Sequence, residues 1–332
     1  MKTKYTLVVL ILLFNRSLAQ DVPLFQSQEP VNLRITGSVK SIKKNSNDST
    51  FVAGKFLYQK DGEWVTVPAE VRVRGNFRLK NCYFPPLKLK FNMKDVASTV
   101  FSGNKTLKLV VPCETNNDKN SLIRREYLCY KIYETVSSYY FRTRLANIEL
   151  TEVSQKKPRK YELLAFFVED NSMVAQRSQG KVIKAKSTSP AAFDEKQSIR
   201  NDYFQYMIGN ADWSAVFQHN SNTLYVDGKY IPLSYDFDMS GFVNAGYAQA
   251  NPSSGPRERV YRGFCKSKEA MEEIRKDFLE KESAVIAIIE SESDNFSKYE
   301  SNEMKVYVNG FFDILKSDDN FGTSILGKCR TK

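Results

Sequence analysis

The residues best suited to chemistry in this chain fall in two short stretches. MIGNADWSAVFQHNSN (207–222) holds Asp212, Asn220, Asn222 and the only histidine, His219, and LSYDFDMSGFV (233–243) sets Asp236 and Asp238 two apart after an apolar run. An acid able to accept a proton, followed by an amide and a second acid able to hold a divalent cation, is what phosphoryl transfer asks of a protein. Such a cation is hard and takes oxygen ligands, usually alongside substrate phosphates. Aspartate and asparagine are also common in turns and caps, so every one of these residues has a structural reading too. The apolar IPLSY before Asp236 argues for an ordered backbone there. His219 reads as a loop-positioning residue, with a general base as the alternative.

Those loops need elements to hold them. Alternating apolar and polar residues predict strands over 32–40, 51–59, 69–77, 87–91 and 107–111, separated by Asn, Asp, Gly and Pro turns. A helix is expected over 121–138, with Leu122, Leu128, Cys129, Ile132 and Val136 on one face, and strands over 144–153 and 160–170. Helices follow over 194–209, 268–289 and 302–315, and the segment 210–265 between them contains the carboxylates. This order predicts an α+β chain of two lobes with a cleft between them. Within it, residues 20–65 form an N-terminal β extension, 66–168 a β-rich lobe and 169–332 a mainly helical lobe.

Residues 1–19 read as a secretory leader. Lys2 and Lys4 precede the apolar run Thr6–Phe14, and Ser17-Leu18-Ala19 supplies small residues before a cleavage point. That run is too short to span a bilayer. The expected product is exported, periplasmic or extracellular, with no membrane span once the leader is removed. Five cysteines suit an oxidising compartment, and Cys82–Cys113 and Cys265–Cys329 are the expected disulfides, with Cys129 a buried thiol in a helix. Lys2, Lys4 and Arg16 account for three of the net +11, leaving +8 on the rest. The basic residues are scattered and form no Lys/Arg block, so a nucleic-acid partner is not expected.

The ordered pieces VRVRGNFR, FPPLKLKF, LKLVVPC, REYLCYKIY, FRTRL, AFFVED, IGNADW…HN and YDFDMSG resemble secreted bacterial relatives of the CotH spore-coat kinase family. The IGN-x-D and YD pieces are also similar to catalytic segments of HipA-type kinases. The resemblance implies an atypical protein-kinase-like two-lobed fold, ATP with Mg²⁺ or Mn²⁺, and a protein hydroxyl as acceptor. Residue by residue, Asp212 matches the catalytic-loop aspartate, Asn220 its metal-binding asparagine and Asp236 the second metal ligand, with Asn222 and Asp238 as weaker metal candidates. Asn220 follows Asp212 by eight residues, a longer interval than ordinary kinases use, so this loop must bulge if both groups are to meet one metal.

Kinase logic also asks for a strand lysine paired with a helix glutamate. Lys108 and Glu126 stand in that order, while Lys88 competes with Lys108 and Arg74 is a candidate phosphate ligand. No Gly-x-Gly-x-x-Gly loop is present. AFFVED takes the place of the hinge, with Phe167 or Val168 near the adenine. Arg257, Arg259 and Arg262, after the metal aspartate, would face an acidic substrate or solvent. Two other classes fit the same residues: a catalytically inactive pseudokinase or secreted binding module, and a different metal-dependent transferase or hydrolase built on Asp-x-Asp.

Overall fold

The computed structural model describes residues 22–331 apart from 48, 76, 117, 154–156 and 249–256. The leader-like residues 1–19 lie outside the described residues.

Alternation in the first half produces a closed barrel. Its strands are β1 (Val31–Gly37), β2 (Val52–Lys60), β3 (Glu63–Val73), β4 (Leu87–Lys90), β5 (Thr106–Val110), β6 (Thr143–Glu152) and β7 (Arg159–Val168), in the order β1-β2-β3-β4-β5-β7-β6. Closure comes from β1, which runs parallel to β6 from Val31 opposite Ala146 to Gly37 opposite Glu152. Three helices join the barrel strands: α1 (Val39–Asn45), α2 (Phe77–Asn81) and α3 (Lys119–Val136). The expected strand 69–77 stops at Val73, and Gly75 then takes a positive φ of 77° before α2 begins.

This barrel overturns the two-lobed kinase-like fold expected from the sequence. A strand from residues 20–65 closes the β-sheet on itself, so that segment is barrel wall and not an added layer. Phe101, from the loop after β4, fills the interior, meeting Phe56, Tyr58, Phe91 and Phe167 at ring-centroid distances of 5.3–5.6 Å. Side-chain filling of this kind is usual for a barrel of few strands.

The rest of the chain does not form a separate helical lobe. After α4 (Asn171–Arg177) come β8 (Lys181–Ile183), α5 (Glu195–Met207), β9 (Ser221–Val226) and β10 (Lys229–Ser234), and the three strands make a small sheet ordered β10-β9-β8. The C-terminal elements are α6 (Lys268–Glu280), α7 (Glu282–Ser291), α8 (Lys298–Lys316) and α9 (Asp318–Ser324). The single helix expected over 268–289 is broken at Lys281. α8 starts ahead of its expected position because Ser297 and Glu300 form a reciprocal capping box.

β7 ties the two layers together. Leu163, Ala165 and Phe167 face the barrel interior, while Leu164, Phe166 and Val168 join a core shared with α3, α5, α6 and α8. Burial on both faces explains why this strand reads LLAFFV and not as an apolar–polar alternation.

Disulfides Cys82–Cys113 and Cys265–Cys329, the pairs named from the sequence, are present, and Cys129 is a buried free thiol. The second bridges 64 residues, holding the C-terminus against the strand-like segment before α6, where Cys265 N donates to Arg330 O at 2.9 Å. Replacing Cys265 and Cys329 by serine is expected to cost about 2–4 kcal/mol in chemical denaturation. A reductant should narrow the gap to the parent protein; an unchanged midpoint in the double variant would count against a stabilising role for this bridge.

Candidate functional site

The two segments singled out by their chemistry meet at the open end of the β9–β10 hairpin. α5 ends at Met207 with Ile208 as its cap, and Gly209 turns the chain with φ 61°, where an added Cβ would sit 2.0 Å from the Tyr307 hydroxyl. Asn210 Oδ1 then accepts from Asp212 N at 3.0 Å. The second segment is stitched to this turn by Gly241 N donating to Gly209 O at 3.1 Å and Phe242 N to Ile208 O at 3.0 Å. At the hairpin mouth, beyond the Ser221–Ser234 pair, Tyr235 N donates to Asn220 O at 3.0 Å. Three backbone bonds therefore fix the relative position of loops that are distant in sequence.

The expected bulge between Asp212 and Asn220 is a small hairpin. Ser214 and His219 exchange backbone bonds of 2.9 and 3.0 Å, which folds the extra residues outward and returns Asn220 to Asp212. Asn220 Nδ2 donates to Asp212 O at 2.8 Å and to Asp212 Oδ2 at 2.9 Å. Those two acceptors orient the amide, and its oxygen takes no part in either bond. His219 Nε2 lies 2.8 Å from Asp212 Oδ1, so both carboxylate oxygens of Asp212 are engaged. This carboxylate is about half exposed, with its side chain at 47%.

Asn220 and Asp236 both occupy the left-handed region, at φ 47° and 66°. For residues with a Cβ such conformations cost on the order of 1 kcal/mol each and persist where surrounding bonds impose them. For Asp236 the bond is its own N–H, donated to the Tyr130 hydroxyl at 2.9 Å. Tyr130 lies on α3, so the helix expected beside the site positions this aspartate through a residue that the sequence did not mark.

Two lysines lie near enough for the charge of Asp236 to act on one of them, Lys108. Lys88 and Lys108 are directly opposed on β4 and β5. Lys108 is buried, bonded to Asn171 Oδ1 at 3.2 Å, with the rings of Tyr235 and Phe141 at 4.3 and 4.7 Å from Nζ. Burial first, then Arg74 and Lys88, brings its ammonium down to about 7, against the opposing pull of Asp170 and Asp236. Lys88 itself pairs with Asp170 at 3.3 Å.

Lys108 and Glu126 do not form the expected ion pair. Glu126 is buried with Oε1 lacking a hydrogen-bond partner, and it faces a second cluster of Arg78, Asp238 and Tyr247. Arg78 donates to Val111 O and lies 3.8 Å from Asp238 Oδ2, which also accepts from Tyr247 OH at 3.2 Å. Burial and the neighbouring Asp236 push Asp238 up to about 6 in spite of Arg78. Burial and Asp238 likewise raise Glu126 well above the carboxylate range. Arg78 and Tyr247 carried no sequence signal, because neither motif nor spacing marks an arginine or tyrosine for burial.

Phe167 and Val168 belong to the protein interior. Both are buried, and their backbones pair with β5 on one side and β6 on the other, so neither offers a surface or a free backbone group to a nucleotide base. Asn222 sits in β9 opposite Leu233, with its Nδ2 buried and lacking a hydrogen-bond partner. Arg257 is held by Glu303, and Arg259 by the carbonyls of Met207 and Tyr307, so these two have structural partners. Residues 249–256 of the same segment lie outside the described residues.

No protein-family model matches the chain, and no curated protein matches it. Among the described residues, no three or more His, Cys, Asp or Glu side chains are grouped to hold a metal ion, and no helix is long and apolar enough to cross a membrane.

The depressed Lys108 gives a signed pH dependence. Its folded value is about 7 against an ordinary 10.5, so between those limits the unfolded chain holds a proton that the folded chain lacks, and stability from this group rises with pH. Lys108→Met should therefore gain most relative to the parent below pH 7, and this advantage should shrink toward pH 10. Melting temperatures of both proteins across that range check it; a difference independent of pH would contradict the depressed ammonium.

Proposed function

We propose that the protein is an exported phosphotransferase that moves the terminal phosphate of ATP to a protein hydroxyl. The observation that carries the reading is the juxtaposition at the hairpin mouth. Asp236 and the Asp212–Asn220 pair are held together in strained backbone, and Asp236 acts electrostatically on the buried Lys108. A carboxylate and a carbamoyl oxygen, with Lys108, Lys88 and Arg74 in the same neighbourhood, suit a nucleotide phosphate chain and its cation.

In this reading Asp236 and Asn220 would hold Mg²⁺ or Mn²⁺, which supplies charge neutralisation for the phosphates. A site with few protein ligands fits a cation whose remaining ligands are phosphate oxygens and water. Lys108, neutral or charged near pH 7, would gain its proton as an anion approaches. Asp212 would orient the acceptor hydroxyl and take its proton, with His219 and Asn220 fixing the carboxylate. The barrel fold means that this chemistry is argued from the site and not from a shared kinase architecture. The leader-like start and two disulfides support export.

One observation favours a second reading, a secreted nucleotide-binding module without turnover: Lys108 is bonded to Asn171 and not to Glu126.

Thermal shift and transfer assays separate the two. Saturating ATP with Mg²⁺ should raise the melting temperature more than either alone, and Asp236→Asn should remove that rise. Asp212→Asn should keep the rise while lowering phosphate transfer to an acceptor protein such as casein by about 100-fold or more. A rise without transfer in the parent protein would select the binding module. The absence of any rise would refute both.

A further inference from the structure

A second site lies on the outer barrel wall, away from the carboxylates. Four neighbouring strands carry a transverse row across β3, β2, β1 and β6: Trp64, Gln59, Asn32 and Asn147. Strand register sets Trp64 opposite Gln59 and Asn32 opposite Asn147. Asn147 Nδ2 donates to Asn32 Oδ1 at 3.0 Å, and Asn32 Nδ2 donates to Gln59 Oε1 at 3.0 Å, so the amides are chained in one direction. They border a surface cavity of about 590 Å³, within the range of small-ligand sites.

Charge decides what such a groove would accept. Its lining holds two arginines, Arg34 and Arg124, and two glutamates, Glu149 and Glu162. Arg34 is committed to Glu149 at 2.6 and 3.3 Å, and Arg124 to Glu292. Neither guanidinium is left for a phosphate or sulfate, although the whole chain is basic. What remains is a set of amides that both donate and accept, and a carboxylate, Glu162, directly opposite Glu149 on the next strand. With Glu149 paired to Arg34, the Glu162 carboxylate is an acceptor for approaching hydroxyls.

Trp64 supplies the apolar component. The Arg34 guanidinium stacks 4.0 Å from its ring centroid and covers one face, and Arg34 is anchored in turn by Glu149, so a ligand would meet the remaining part of a half-buried indole held in place. Preorganisation of this kind lowers the ordering cost of binding. A fixed aromatic plate beside a ladder of two-way hydrogen-bonding groups, with no uncommitted arginine, matches a ligand with apolar C–H faces and many neutral hydroxyls.

We propose that this groove binds a neutral oligosaccharide. The site shares no residue with the phosphotransfer site and stands whether or not that reading holds.

Native electrophoresis of the purified protein through gels containing laminarin, xylan, dextran, galactomannan or hydroxyethylcellulose tests it, with heparin as the anionic comparison. At least one neutral polymer should retard the parent protein. Trp64→Ala should weaken that binding by about tenfold or more, as loss of a central aromatic contact does, and Asp212→Asn should leave it unchanged. Asn32 and Asn147 are exposed, so Asn32→Ala and Asn147→Ala should keep the parent melting temperature and still weaken binding, which preserves the test should Trp64→Ala fold poorly. Unretarded migration in every neutral gel overturns the proposal. So does retardation by heparin alone, or by a neutral polymer to the same degree in the two asparagine variants as in the parent.

Discussion

Two-sided burial of one strand governs this molecule. From Leu163 to Val168 every side chain of β7 is buried, alternately against the barrel interior and against the helical core. Each large apolar side chain so placed stabilises by roughly 1.5–3 kcal/mol. The barrel could close without the helices only by leaving Leu164, Phe166 and Val168 in water. Pairing with both β5 and β6 also leaves Phe166–Val168 no spare backbone groups, which is why a segment resembling a hinge is instead the most enclosed part of the sheet.

The same strand fixes the electrostatics of the candidate site. β5 pairs with β7 so that Lys108 opposes Val168, and the lysine consequently lies on the face covered by Phe141 and Tyr235. Its burial costs free energy that Asn171 and the two rings offset only in part. Beside it, Glu126 and Asp238 share Arg78 as the cation between them, and both are driven toward protonation. Buried ionisable groups gathered at one place are a signature of function more often than of stability, since apolar residues of the same size would be less costly there.

Much of the local structure was legible in the sequence. Alternation located the barrel strands, turn residues separated them, and the apolar face of 121–138 marked α3. The Asp212 and Asp236 segments were linked in the sequence as one constellation, and the structure brings them together by backbone bonds. Spacing along the chain asked the loop after Asp212 to bulge if Asp212 and Asn220 were to meet, and the Ser214–His219 hairpin is such a bulge. Tyr130, Arg78 and Asn171 were not legible, because each acts through a partner distant in the chain and belongs to a residue type that carries no fixed pattern.

The sequence by itself located most barrel strands and the longer helices, because side-chain periodicity follows directly from backbone geometry, while short elements such as α1, α2, α4 and β8 carry too little of it. It also offered Cys82–Cys113 and Cys265–Cys329 as candidate pairs, whose connectivity the fold fixes, and supplied the residue types available for phosphate chemistry. Tertiary structure alone decided that the sheet closes, since closure depends on β1 reaching β6 across more than 100 residues, and the same periodicity serves an open lobe equally well. It likewise decided that Lys108 turns from Glu126 to Asn171. Pairing between charges is set by distance and burial in three dimensions, and neither quantity is written in the order of residues.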